Sequence, residues 1–216
     1  LLARFRHDRL RALLRLGQSR HLLGEHESAA ALAGELAERE NASPQLRADA
    51  CVIAARALTA LSRWEDAIAA LGRVPSDADG AKRARVQREL AKIHLRRGDY
   101  AAVSSAVEVG LACAPDDDSV RVELLCSQGM VAGYRGDQAG QRACHEAALA
   151  LARRLRERRE EANALAYLAI GVQRSGDMAS ARDLFAQSLE IARDLGDVGS
   201  MATNSLNLGV LQFYMG

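Results

Sequence analysis

A turn signal recurs along this chain at a spacing that few folds can accommodate. Gly followed by an acidic residue closes an apolar, helix-like stretch at Gly24-Glu25, Gly98-Asp99, Gly136-Asp137 and Gly176-Asp177. Ser62 fills the slot between the first two and Gly216 the slot after the last, so the steps are 38, 36, 38, 40 and 40 residues. Seven positions before each slot stands a small residue: Gly17, Ala55, Ala91, Gly129, Ala169 and Gly209. Five positions after it come Ala29, Ala67, Val103, Gln141 and Ala181. A fixed period of this length means stacked copies of one supersecondary unit, none able to bury its own apolar face alone.

Within each unit apolar residues return every three or four positions, the mark of an amphipathic helix. Each unit reads as an A helix and a B helix running antiparallel. The small residues let the two backbones approach where they cross. The slot residue makes the reversal, and the acidic residue behind it can cap the next helix. The last two complete repeats align without a gap, so that Arg156-Glu157 lies over Gly196-Asp197. A helices are expected near 4–22, 44–60, 78–97, 118–134, 158–174 and 198–215, and B helices near 26–40, 63–73, 99–113, 137–155 and 177–195. Ser43-Pro44 gives a cap and a first helical Pro, Ser62 with Glu65 forms a capping box, and Asp118 or Ser119 caps the helix after Pro115. Val74-Pro75 cuts the second B helix short and residues 77–80 read as loop, so an irregularity near 72–82 is expected. No stretch alternates with period two, and no strand is expected.

The matching residues are Leu16-Gly17, Ala29, Trp64 with Ala67, Gly98-Asp99-Tyr100, Pro115, Gly129, and Gly176-Asp177 with Ala181 and Phe185. In these the chain resembles the tetratricopeptide repeat family, with a longer period than the usual ~34 residues. The stretch from Ala192 to Asp197 and Asn207-Leu208-Gly209 look like the kinesin-light-chain variant, and like the repeat regions of bacterial signalling ATPases, kinases and transcription activators. The resemblance implies an all-α, right-handed α-solenoid of stacked antiparallel helical hairpins. It would hold about five and a half repeats, at 4–42, 43–76, 77–115, 116–156, 157–196 and a half repeat 197–216, in one superhelical domain 1–216. The chain opens at Leu1 rather than Met, and we expect a segment of a longer protein. Where the array stops, at Gly216, the sixth A helix is expected to leave Leu206, Leu208, Val210, Leu211 and Phe213 poorly covered and open to self-association.

Chemistry is sparse. The formal net charge is +1, so nothing global calls for nucleic acid or an anionic membrane. Cys51, Cys113, Cys126 and Cys144 fit no zinc spacing and are expected as buried, reduced thiols, which suits a cytoplasmic setting. His7, His21, His26, His94 and His145 are scattered, and His21 and His26, five apart, are a poor metal pair. Cys144-His145 lie opposite Leu184 and Phe185 in the repeat alignment, which makes them packing residues. Asp116-Asp117-Asp118 lacks the rest of a calcium loop and reads as a solvated turn. No nucleophile, base or metal is held by convergent groups, so neither an enzyme nor a cofactor is expected.

What remains is the groove that A helices line in the resembled family. Carried onto this chain, its positions give Arg56 in repeat 2 and Arg85, Arg88, Lys92 and Arg96 in repeat 3. They give Cys126, Met130, Gly133 and Tyr134 in repeat 4, Asn163, Gln173 and Arg174 in repeat 5, and Phe213 in repeat 6, with Asn207 beside them. The repeat-3 set, spaced 3, 4 and 4, is one basic stripe. It reads either as a solvated face paired locally, for instance to Glu89, or as a cationic strip for an acidic segment. The second basic run, Arg153, Arg154, Arg156, Arg158 and Arg159, alternates with Glu157, Glu160 and Glu161 and reads as a paired, solvated face. The expected function is a peptide- or protein-binding scaffold or regulatory module of a larger cytoplasmic, bacterial signalling protein. The rival is a ligand- or peptide-sensing domain controlling an attached ATPase, kinase or DNA-binding domain.

Overall fold

The computed structural model describes residues 2–116 and 119–215, with side chains from Asp8 onward. Among the described residues there are helices and no strand. They run α1 Leu2–Leu22, α2 His26–Glu38, α3 Pro44–Ala60, α4 Trp64–Gly72, α5 Gly80–Arg97 and α6 Tyr100–Cys113. Then follow α7 Ser119–Tyr134, α8 Gln138–Leu155, α9 Arg158–Arg174, α10 Met178–Asp194 and α11 Val198–Met215. The chain divides into two compact units, Leu1–Ala114 with α1 to α6 and Pro115–Gly216 with α7 to α11. In each, a helix packs on its neighbours in sequence. In the first, α3 also touches α1 and α5, and in the second α7 touches α9. That is the near-neighbour bonding of a solenoid.

The turns show what the period encodes. Gly24, Gly98, Gly136, Gly176 and Gly196 all have positive φ, as an abrupt helix end requires. Where Gly is missing the backbone does not change. Ser62 and Arg156 adopt φ of 59° and 57°, values that a side chain makes costly. The capping residue discriminates by length. Asp99, Asp137 and Asp177 accept from the backbone N–H of Ala102, Gly140 and Ser180 at 3.0, 2.8 and 3.0 Å, and Asp197 does the same for Ser200 at 3.1 Å. Glu25 and Glu157 hold the same position and make no such bond. The extra methylene carries the carboxylate past the N–H it should meet.

Ser43 accepts from the N–H of Leu46 and Pro44 opens α3, as expected. The Ser62–Glu65 capping box does not form. Arg63 is the N-cap of α4, because Ser62 is used as the left-handed residue that ends α3. Ser119 is the first residue of α7, and Asp118 lies outside the described residues. The second B helix is short, nine residues, and α5 starts at Gly80 instead of 78, with Asp79 capping Lys82. Gly80 is required there: a Cβ would lie 2.9 Å from the carbonyl oxygen of Cys113.

The core of residues 1–114 gathers Val52, Ile53, Leu58, Leu71, Val86 and Ile93 around the small residues Ala55 and Ala67. That of residues 115–216 centres on Leu165, Phe185 and Ala169 and takes in Leu211. Leu211 was expected to be poorly covered. It is fully buried, since α10 covers one side of α11, whereas Leu206, Val210 and Phe213 are exposed and Leu208 is half-buried. Cys51 and Cys126 are buried, but Cys113 and Cys144 are half-buried, at helix positions turned partly outward. All four are free thiols.

Candidate functional site

In residues 1–114 the charged face is built by helices α3 and α5. Arg56, four residues from the end of α3, reaches across to Glu89 of α5, its Nη2 2.7 Å from Oε1. Arg88 turns inward and meets the same oxygen at 2.6 Å. Both Arg88 and Glu89 are buried, at 8% and 7% exposure. Burial pushes the Glu89 carboxyl up, but Arg88, Arg56 and Lys92 outweigh it and hold the group below its ordinary value. The stripe therefore divides. Arg88 is a structural cation in an interior ion pair, while Lys92 and Arg96 are exposed and Arg85 is half-exposed. Lys82 pairs with Asp49 at the start of the same two helices.

Sequence spacing did not place the histidines here. His21 lies in the last turn of α1 and His26 opens α2, and the turn between them brings their rings, tilted, to 5.0 Å between centroids. Burial, then His26 and Arg56, keep His21 below the usual imidazole range, against a smaller opposing pull from Glu89. These two histidines are thus a pair. The five-residue separation hid this because it was read along one helix, not across a turn. His7 lies outside the residues whose side chains are described. Among the described residues, no three His, Cys, Asp or Glu side chains are placed to hold a metal ion.

In residues 115–216 the expected groove positions behave unequally. Tyr134 is exposed and carries the guanidinium of Arg174 over its ring at 5.7 Å, joining two expected positions from consecutive repeats. Asn163 donates to Glu160 at 3.2 Å. Met130, Gln173 and Asn207 are half-buried, and Phe213 is 84% exposed, edge-on to Tyr214. Cys126 and Gly133 do not face outward. Cys126 is in the core, where burial drives its thiol pKa strongly up, and Gly133 lies under Gln141, which would stand 2.6 Å from a Cβ there. Four members of the second basic run are engaged: Arg153 and Arg158 share Glu161 at 3.0 and 2.9 Å, Arg159 binds Asp197 at 2.8 Å, and Arg154 donates to the Asp116 carbonyl at 3.0 Å. Asp117 and Asp118 lie outside the described residues.

His145 takes the core position foreseen for it, almost fully buried like Phe185, its counterpart forty residues on. Its ring packs where Gly129 leaves room and stacks on Tyr167 at 5.7 Å. Sequence reasoning missed a buried chain in which Asn204 donates to Ser188 Oγ at 2.9 Å and Ser188 to the Ala162 carbonyl at 2.8 Å. It links three helices, and a polar pair at apolar-periodic positions was its one visible trace.

No protein-family model and no curated protein matches the sequence. Solved structures do match. The chain is similar to Cut9 in the APC/C hetero-tetramer Cut9–Hcn1, at 17% identity and a TM-score of 0.76 over 95% of this chain and 37% of that one. It is similar to TTC0263, a thermophilic TPR protein of Thermus thermophilus, at 18% identity and a TM-score of 0.70 over 92% and 98%. A Podospora anserina kinesin-light-chain-type protein with nearly identical TPR-like repeats matches at 17% identity and a TM-score of 0.64 over 87% and 96%. These likenesses establish the fold: an all-α array of tetratricopeptide-type hairpins. Among the described residues no helix is long and apolar enough to cross a membrane.

Proposed function

We propose that this chain is a non-enzymatic protein-interaction module of a larger cytoplasmic signalling protein, and that its α5 face binds an acidic peptide segment. The fold supports interaction in general, because stacked hairpins display A-helix side chains along an extended surface. The observation that carries the specific reading is the division of the α5 stripe. Arg56 and the interior Arg88 engage the buried carboxylate of Glu89, while Lys92 and Arg96 of the same stripe are exposed and Arg85 half-exposed. The face keeps a surplus of positive charge, and its outward arginines suit forked bonding to carboxylates.

The test is peptide binding by fluorescence anisotropy, with Asp/Glu-rich and Lys/Arg-rich peptides at two salt concentrations. Reversing Lys92→Glu together with Arg96→Glu is expected to weaken capture of the acidic peptide by tenfold or more, with the far-ultraviolet dichroism unchanged. Arg88 is unsuitable for reversal, since it sits inside the fold. Equal affinity of the variant, or no preference for acidic peptides, would remove the α5 face from the proposal.

A further inference from the structure

Arginine, lysine and carboxylate side chains keep their charge between about pH 5.5 and 7.5, so a change in the α3–α5 face over that range has to come from imidazole. Two imidazoles stand together beside it. His21 and His26 are both half-buried, with ring centroids 5.0 Å apart. The turn that carries them is tied across itself: Arg20 of α1 donates to Ser28 and pairs with Glu25 at 3.7 Å, on either side of His26 in the sequence. Helices α1 and α2 both pack on α3, which carries Arg56. The groups whose charge is felt at the His21 ring are His26 of α2, Arg56 of α3 and Glu89 of α5. On the turn, Arg20 and Glu25 are engaged with each other, and Glu27 is exposed.

Glu89 is the one carboxylate among those three, and Arg56 and Arg88 already hold it. A proton taken up by the pair is therefore not cancelled by Glu89, and its charge adds to that of Arg56. Rings this close repel once both are charged, so the pair takes up its protons one after the other. We propose that the His21–His26 pair is a pH-operated control on the cationic face: in a mildly acidic medium it takes up a proton, and capture of an acidic segment beside Arg56 tightens. The inference rests on the acidic-peptide reading above. The segment itself does not produce the effect, since its own carboxyls lose charge only near pH 4 and this would weaken capture.

The test is fluorescence anisotropy of an Asp/Glu-rich peptide on the whole chain at pH 7.5, 6.5 and 5.5, at one ionic strength. Affinity should rise by about twofold to fivefold from pH 7.5 to 5.5, the worth of one exposed charge pair. His21→Gln with His26→Gln should remove the rise. His94→Gln should leave it in place, since His94 is the other half-buried imidazole described in residues 1–114 and lies on α5 itself. A second readout needs no variant. By reciprocity, saturating peptide should move the proton-resonance titration of the His21 ring to higher pH in the unsubstituted chain. An affinity that is equal at all three pH values, a rise that survives the double variant, or a His21 titration unmoved by bound peptide overturns the control and leaves the acidic-peptide reading standing. No capture at any of the three pH values overturns both.

Discussion

A Cβ placed on Gly129 would lie 2.5 Å from Cδ2 of His145, so the imidazole of one helix occupies the space that any side chain on the other would need. Gly→Ala inside an exposed helix ordinarily gains roughly 0.5–1 kcal/mol. Here the ring is fully buried and cannot swing away. Gly129→Ala is expected to destabilise the protein by about 1–3 kcal/mol, as overpacking does. Gly209 holds the same place in its repeat but meets nothing within 4 Å. Gly209→Ala should therefore show the ordinary gain. Urea unfolding followed by circular dichroism compares the two, and equal shifts of one sign would refute the packing argument.

Ser62 and Arg156 offer a test of the turns. Both occupy left-handed backbone where the other repeats use Gly. A side chain costs about 1–2 kcal/mol there, partly offset by the greater freedom of an unfolded Gly. Ser62→Gly and Arg156→Gly should each raise the unfolding free energy by about 0.5–1 kcal/mol, and Gly196→Ala should lower it by a similar amount. No gain from Arg156→Gly would mean that the exposed Arg156 side chain makes a compensating contact.

The fold was legible because its determinants are periodic. Gly98-Asp99 and Gly176-Asp177 advertise a turn in the residues themselves, and the matching of Arg156 to Gly196 survived the loss of Gly because the register around it was intact. The site was less legible. Helical spacing put Arg88 on the same stripe as Lys92, yet one is interior and the other exposed, because Arg56 from a different repeat helps to stabilise Glu89 inside. His21 and His26 meet across a turn, and Gln141 fits only because Gly133 and Gly171 leave space on two other helices. Each of these depends on a contact between side chains of different helices, which a one-dimensional reading does not contain.

Burial holds His145 below the usual imidazole range, against a smaller opposing effect of the Cys126 carbonyl. The unfolded chain therefore takes up the proton first as pH falls. The stability that the neutral ring contributes is complete above the unfolded value of about 6.5 and is lost as pH drops from there through the folded value. His21 is shifted the same way and adds to the slope. Thermal melts between pH 7.5 and 5 should show Tm falling with acid, and His145→Phe should flatten the fall without abolishing it. A Tm independent of pH in this window would show that neither imidazole is held neutral.

Glu89 carries the opposite kind of dependence on its neighbours, since it is charged in the interior and its worth lies in Arg88 and Arg56. Glu89→Gln removes the carboxylate that Arg88, buried at 8% exposure, meets at 2.6 Å. Removing one member of a buried pair costs on the order of 3 kcal/mol. Arg56, whose side chain is 38% exposed, can turn to water and should add little. Replacing both buried members, Arg88→Met with Glu89→Gln, removes the buried cation along with the carboxylate and is expected to recover part of the loss. The pH dependence follows from the same contacts. The carboxyl is held below its ordinary value, so the contribution is present above about 4.5 and disappears as pH falls through the lower folded value. Urea denaturation at pH 7 and pH 3.5 separates the terms. Glu89→Gln should lose stability at pH 7 and less at pH 3.5, and a double variant no more stable than the single one at pH 7 would show that the damage does not come from the buried charge of Arg88.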